Sequence, residues 1–172
     1  MKNHEIRVYP SKEDLPKEQQ FAHKLAVMAS ERPALDDAVI DMIINRIIDN
    51  ASVAIAAINR RPVANARSQA LCHPRSNGAN VFGMPKDQQF SPEWAAWANG
   101  TAVRELDFHD TFLAADYSHP GDNIPAILAI AQMKNCSGED VLHALATAYE
   151  IQVNLVKGIC LHEHKKDHIA HL

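Results

Sequence analysis

The run from Ala34 to Asn59, ALDDAVIDMIINRIIDNASVAIAAIN, constrains the fold more than any other part of the sequence. In its first half, apolar residues recur at the spacing of one helix face, and aspartates and an asparagine occupy the opposite face. Its second half, residues 51–58, is apolar on nearly every side apart from Ser52. A helix without a polar face must be covered by neighbouring elements. The run therefore predicts a long helix in a packed helical domain, with a core stripe of Leu35, Val39, Met42, Ile43 and Ile47.

Helical patterns also account for most of the remaining chain. The clearest start signal is Ser137 followed by Asp140, which have the spacing of a capping box. The one strand candidate is ANVFGM, residues 79–84. Because helical segments dominate, we expect an all-α fold. The further predicted helices cover residues 17–31, 62–74, 91–107, 123–135 and 137–159.

The composition is that of one globular domain. The chain has 172 residues, of which 47% are hydrophobic and 22% charged. Its net charge of −4 gives no electrostatic reason to expect a nucleic-acid partner. The N-terminal residues lack the apolar core of a signal peptide, and no run reaches transmembrane length. We therefore expect a cytoplasmic protein that has no membrane partner.

The cysteines bear on the type of chemistry. Three are present, Cys72, Cys136 and Cys160, and no two of them form a C-x-x-C pair. A zinc knuckle or an iron–sulfur cluster would therefore lack its usual ligand set. We expect these cysteines to be small buried hydrophobic residues, and we expect neither a metal centre nor another cofactor.

The stretch RELDFHDTFLAADYSHPGDNIP, residues 104–125, concentrates acidic side chains and imidazoles among aromatic residues. We predict a loop between two helices, in which Asp107 lies near the end of the first helix and His119 lies on a turn before the second. The free backbone N–H groups at the start of the second helix would favour an anion. Together these groups have the chemistry to remove a proton next to a carboxylate and to stabilise the developing charge.

Each of these residues also has an ordinary interpretation. Asp107 and Asp110 fit turn or capping positions, and His109 alone fits a surface histidine. The adjacent His109 and Asp110 also permit a second hypothesis, a metal-dependent phosphohydrolase of helical type. A third hypothesis is a non-catalytic, truncated helical piece that self-associates. The residues alone leave these alternatives open.

Three quoted segments carry a resemblance to a known family. WANGTAVRELD, ELDFHDTFLAADYSHPGDNIPAILAIAQ and LHALATAYEIQ resemble the MmgE/PrpD family of enzymes, and D-F-x-D-T followed by His-Pro is the most specific motif. The resemblance runs essentially from the N-terminus to Leu172. It implies that residues 1–172 form the N-terminal part of an all-helical domain, and that the remainder of that domain and a lid domain lie outside this sequence.

The resemblance also implies a reaction and a site. The implied reaction is the dehydration of (2S,3S)-2-methylcitrate to 2-methyl-cis-aconitate in propionate breakdown, by a hydro-lyase that needs no iron–sulfur cluster. Asp107 and His119 match residues for proton transfer and orientation, and Thr111 matches a residue that binds the substrate. His168 matches a histidine for acid–base work or carboxylate binding, and His171 competes for that role. We further expect a homodimer in the full-length form, and little or no activity from the 172-residue chain alone.

Overall fold

The computed structural model describes residues 9–114, 116–160 and 165. The chain divides into two compact units, Met1–Ala34 and Leu35–Leu172. None of the helices in the described ranges is both long and apolar enough to cross a membrane.

Over its described residues, 9–34, the first unit contains one α-helix. A 3₁₀ turn at Lys17–Gln19 is followed directly by helix α1, Phe21–Ser30. The helix stops before Pro33, as expected from the restriction that a proline places on the residue before it. The predicted helix over 17–31 is therefore confirmed for residues 21–30, because the extended residue Gln20 separates α1 from the 3₁₀ turn.

The second unit is mostly helical, which confirms the predicted fold class. Five helices follow one another along the chain, and every segment for which the sequence predicted a helix contains one. Three short strands lie in the connections. The helices are α2 (Asp37–Ala56), α3 (Arg61–Leu71), α4 (Pro92–Arg104), α5 (Asn123–Lys134) and α6 (Gly138–Gly158), and the strands are β1 (Pro74–Ala79), β2 (Phe112–Leu113) and β3 (Tyr117–Ser118).

Helix α2 turns one face to the core. Its N-cap residue is Asp36, whose Oδ1 accepts a hydrogen bond of 2.9 Å from the backbone N–H of Val39. Helices α4 and α6 both pack against it. The predicted core stripe is only partly correct: Ile43 is buried, but Val39 and Met42 are exposed. The buried face continues instead through Asn50, Val53 and Ala54.

Helix α4 is the centre of the second unit and packs against α2, α3 and α5. Three of its six buried residues are alanines, which allow neighbouring helices to approach closely. Trp97 of this helix is 60% exposed. Asn99 is buried and fixes the preceding loop: its Nδ2 donates to the Asn80 carbonyl at 3.0 Å, and its Oδ1 accepts from the Phe82 N–H at 2.8 Å.

The predicted strand over 79–84 is wrong except for its first residue. The observed strand, β1, ends at Ala79, where it forms a bridge to Phe90. After that point the backbone N–H groups of Asn80 and Phe82 bond to side chains, those of Gln132 and Asn99. Since those donors are taken, no strand continues through them.

Two further expectations need correction or confirmation. The cysteines are not buried: Cys72 and Cys136 are exposed and Cys160 is half-buried. The capping box of α6 is confirmed, because the Ser137 Oγ accepts from the Asp140 N–H and the Asp140 carboxylate accepts from the Ser137 N–H.

Candidate active site

The stretch between α4 and α5, residues 105–122, forms a loop, as predicted. Helix α4 ends at Arg104, and Asp107 then adopts a left-handed conformation with φ of 53°. Residues other than glycine rarely adopt this conformation, although aspartate is among those that tolerate it best. Strands β2 and β3 then pair antiparallel, with Phe112 opposite Ser118. This pairing brings the chain back, so that the turn at Pro120 lies beside the start of the loop.

The fold brings together three ionisable side chains from the two ends of this loop. One donor atom from each of Asp107, His109 and His119 lies within 4.8 Å of the other two. The two imidazole rings are 4.5 Å apart between centroids and tilted by 37°. Asp107 is exposed, His119 is half-buried and His109 is buried. The expectation that His109 is a surface residue is therefore wrong.

Hydrogen bonds fix the tautomer of His119. Its Nδ1 lies 2.9 Å from the backbone carbonyl oxygen of Asp110, an atom that can only accept. Nδ1 therefore carries the ring proton, and in the neutral ring Nε2 keeps its lone pair. Thr111 Oγ1 lies 3.3 Å from the same Nδ1. His119 thus presents a basic nitrogen whose orientation is set by the backbone.

Two charged groups approach the other histidine. The Nε2 of His109 lies 3.0 Å from Arg104 Nη1 and 3.2 Å from Asp122 Oδ1. Arg104 Nη1 is also 3.5 Å from the second oxygen of Asp122. The Nδ1 of His109 is buried and has no hydrogen-bond partner among the residues that the structure describes.

Asp110 holds the loop in place through a set of contacts that we call the Asp110 clamp, formed by Asp110, Gly121, Tyr149 and Asn50. Asp110 Oδ1 accepts from the Gly121 N–H at 2.8 Å, and Oδ2 accepts from the Tyr149 hydroxyl at 2.7 Å. The Gly121 carbonyl accepts from the Asn50 side chain at 3.0 Å. Burial, followed by the bond to Asp110, raises the pKa of Tyr149 above its ordinary value. The phenol therefore stays protonated and remains a donor.

The clamp bears on two expectations. The predicted anion site at the start of α5 is wrong, because the N–H groups of Gly121, Asp122 and Asn123 all bond to acceptors of the chain itself. The phosphohydrolase hypothesis relied on His109 and Asp110 as joint metal ligands. Both carboxylate oxygens of Asp110 accept hydrogen bonds within the clamp, so its side chain has a structural role in holding the loop.

The structure thus places three of the four predicted site residues, Asp107, Thr111 and His119, at one position in the fold. His168 and its competitor His171 lie outside the described residues. No motif in the sequence assigns a role in the site to Tyr149 or Asp122. A buried tyrosine needs a partner for its hydroxyl, and this is the one signal by which Tyr149 could have been identified.

Comparisons with known proteins agree with this picture. Residues 19–172 match the MmgE/PrpD N-terminal domain. The chain is 39% identical over 90 residues to the mitochondrial 2-methylcitrate dehydratase of Yarrowia lipolytica, over 46% of this chain and 17% of that protein. It is 41% identical over 86 residues to the 2-methylcitrate dehydratase of Escherichia coli K12, over 44% of this chain and 17% of that protein.

A relative that is named for a different activity also matches. The chain is 28% identical over 127 residues to the cis-aconitate decarboxylase of Mus musculus, over 71% of this chain and 25% of that protein. The chain therefore spans only a minor part of the length of these curated relatives.

Proposed function

The chain belongs to the MmgE/PrpD family, and on this basis we propose that the loop between α4 and α5 forms one wall of a site that dehydrates a tricarboxylate. The substrate that we propose is (2S,3S)-2-methylcitrate, and the product is 2-methyl-cis-aconitate. Two of the similar proteins are named 2-methylcitrate dehydratase, which supports this choice. The decarboxylase among the relatives acts on cis-aconitate according to its name, and thus also on a tricarboxylate.

The reaction requires two proton transfers. A base removes the proton from the carbon next to a carboxylate, the C–O bond breaks, and the departing hydroxyl takes up a proton and leaves as water. The observation that carries the proposal is that His119 keeps Nε2 free while the backbone holds Nδ1, beside the carboxylate of Asp107. The elimination needs one group that accepts the carbon-bound proton and one that gives a proton to the departing hydroxyl; we assign Asp107 and His119 to proton transfer and orientation.

Two further side chains complete the proposed roles. The hydroxyl of Thr111 lies beside the ring of His119, where it would hydrogen-bond a substrate oxygen. His168 would serve in acid–base catalysis or in carboxylate binding, as the family resemblance implies. Arg104 contacts His109, and its guanidinium is already in contact with Asp122.

We further propose that the 172-residue chain alone has little or no turnover. The substrate carries three carboxylates, whereas the chain has a net charge of −4, and Arg104 is the one cationic side chain in contact with the cluster among the described residues. Met42, Ile48 and Ile55 on α2 are each more than half exposed, as expected for side chains that further chain would cover.

Turnover and binding test the proposal separately. In any longer form of the protein that produces the conjugated alkene, measured by ultraviolet absorbance, Asp107→Asn and His119→Asn should each lower kcat by roughly 100-fold or more. Asp87→Asn is the matched control, because Asp87 is exposed and lies outside the loop. With the 172-residue chain, NMR titration with 2-methylcitrate should shift the resonances of Asp107 and His119. Normal turnover by the double variant of the longer form would refute the proposal.

A second candidate function has one observation in its favour. The exposed apolar side chains of α2, together with Trp97 on α4, fit a helical piece that associates with itself and has no catalytic role. This alternative predicts a concentration-dependent mass in analytical ultracentrifugation. It also predicts that Asp107→Asn changes neither ligand binding nor any activity.

A further inference from the structure

We propose that Asp107, His109 and His119 form a binding site for a divalent transition-metal ion of the zinc type. The three side chains offer two imidazole nitrogens and one carboxylate oxygen, and these donor atoms all lie within 4.8 Å of one another. The residues come from the two ends of one loop, and the Asp110 clamp holds those ends together. The fold therefore brings three candidate ligand atoms close together.

The hydrogen bond of His119 is the kind that a metal-binding histidine makes. Ligating histidines usually donate their second ring N–H to a carboxylate or a backbone carbonyl, which fixes the ring and makes the free nitrogen a better ligand. In His119 the Nδ1 proton bonds to the Asp110 carbonyl at 2.9 Å. The lone pair of Nε2 is then available to an ion without any change of tautomer.

His109 provides the second, independent observation. Its side chain is fully buried, and its Nδ1 has no hydrogen-bond partner among the described residues. A buried polar atom without a partner is destabilising, so a ligand at this nitrogen would remove an existing penalty. Coordination through Nδ1 would place the ring proton on Nε2, 3.2 Å from Asp122 Oδ1, which can accept it. Arg104 Nη1 lies 3.0 Å from Nε2 and can only donate, so its guanidinium would have to turn from the histidine to Asp122. Asp122 also keeps its contact with Arg104, which limits the repulsion between that cation and the ion.

The donor set selects the class of ion. Imidazole nitrogens suit zinc, cobalt, nickel, copper and iron, whereas magnesium and calcium prefer oxygen ligands only. Ligand atoms around tetrahedral zinc lie roughly 3.3 Å apart, so the widest separation in this cluster must shrink by about 1.5 Å. Asp107 is the exposed member and adopts a loop conformation, so it is the ligand that can make this movement.

An ion at this site would be an inhibitor of the reaction proposed above. It would occupy the lone pair of His119 and the carboxylate of Asp107, which are the groups assigned to proton transfer. This consequence for turnover depends on the proposed function. The binding of the ion does not, because it requires only the positions of the three side chains.

The test is isothermal titration calorimetry of the 172-residue chain with zinc chloride. The histidines near the C-terminus are competing ligands, so the titration uses a background variant in which each of these histidines is replaced by asparagine. The replaced residues are His162, His164, His168 and His171. We expect this background variant to bind one zinc ion per chain. Loss of all binding in it would show adventitious binding by the C-terminal histidines only and would overturn the proposal.

Substitutions in the background variant then locate the ion. Asp107→Asn and His119→Asn should each weaken zinc binding by at least roughly 10-fold, and Asp122→Asn by about 10–100-fold through the orientation of His109. His143→Asn on α6 is the matched control and should leave the affinity unchanged. Asparagine tolerates the left-handed conformation of residue 107, so Asp107→Asn keeps the fold, which circular dichroism verifies. Unchanged zinc affinity in Asp107→Asn would overturn the proposal, whatever the outcome for catalysis.

Discussion

Replacing Gly121 by alanine tests whether the Asp110 clamp sets the geometry of the site. Gly121 has no need of its special backbone freedom here, because its φ is not positive. What it provides is space. A Cβ atom at this position would lie 2.5 Å from Asp110 Oδ1 and 3.2 Å from Asn50 Nδ2. The first distance is too short for any real Cβ contact, so the Asp110 carboxylate must move.

The size of the effect follows from what that movement breaks. Asp110 Oδ1 would lose its bond to the Gly121 N–H, and a hydrogen bond to a charged group contributes about 1.5–3 kcal/mol. Overpacking in a buried site adds about 1–3 kcal/mol, part of which is the same displacement. We therefore expect Gly121→Ala to lower the free energy of unfolding by about 2–4 kcal/mol.

Urea denaturation of the 172-residue chain, followed by circular dichroism, measures this loss. Gly100→Ala is the matched control, since a Cβ there meets no atom within 4 Å and the residue lies inside α4. That control should gain about 0.5–1 kcal/mol through the higher helix propensity of alanine. The reasoning fails if Gly121→Ala costs less than about 0.5 kcal/mol, the lower end of what one hydrogen bond contributes.

Three further substitutions give predictions. Tyr149→Phe should cost about 1.5–3 kcal/mol in urea denaturation, because it removes the donor to the charged Asp110 carboxylate. Burial and this bond raise the pKa of Tyr149, so its contribution to stability is complete below about pH 10 and falls as the pH rises further. Alkaline unfolding of Tyr149→Phe should therefore show a shallower pH dependence than that of the unsubstituted chain. Asn99→Ala should cost about 2–4 kcal/mol in thermal unfolding, because it leaves two backbone groups of the loop after β1 without partners. Ser137→Ala should cost about 1 kcal/mol in the same assay, through the lost cap of α6.

The helices could be predicted because their signals are local. The capping box at Ser137 and the apolar period of α2 depend on residues within a few positions of each other, and both appear in the structure. The choice of the buried face of α2 could not be predicted in full. Val39 and Ile43 both belong to the apolar face, and only the positions of α4 and α6 decide that Ile43 is the buried one.

The site was predictable in composition but not in its contacts. Asp107, Thr111 and His119 lie near one another in the sequence, and the loop keeps them together. The exclusion of an anion from the start of α5 depends on Asp110, whose carboxylate takes one of the N–H groups. The buried position of His109 between two charged partners depends on where α5 packs, which no local pattern encodes.

The long sequence separations within the Asp110 clamp determine when, during biosynthesis, the histidine pair can take its final form. Asn50 contacts a residue 71 positions further along, and Asp110 contacts Tyr149 across 39 positions. Contacts between such distant residues form late in folding, because the entropy of closing the intervening chain must first be overcome. On the ribosome, a nascent chain from which Tyr149 has not yet emerged would carry both imidazoles but only part of the support that aims them. The complete set of contacts in the Asp110 clamp is therefore acquired only after α6 has been synthesised and has docked.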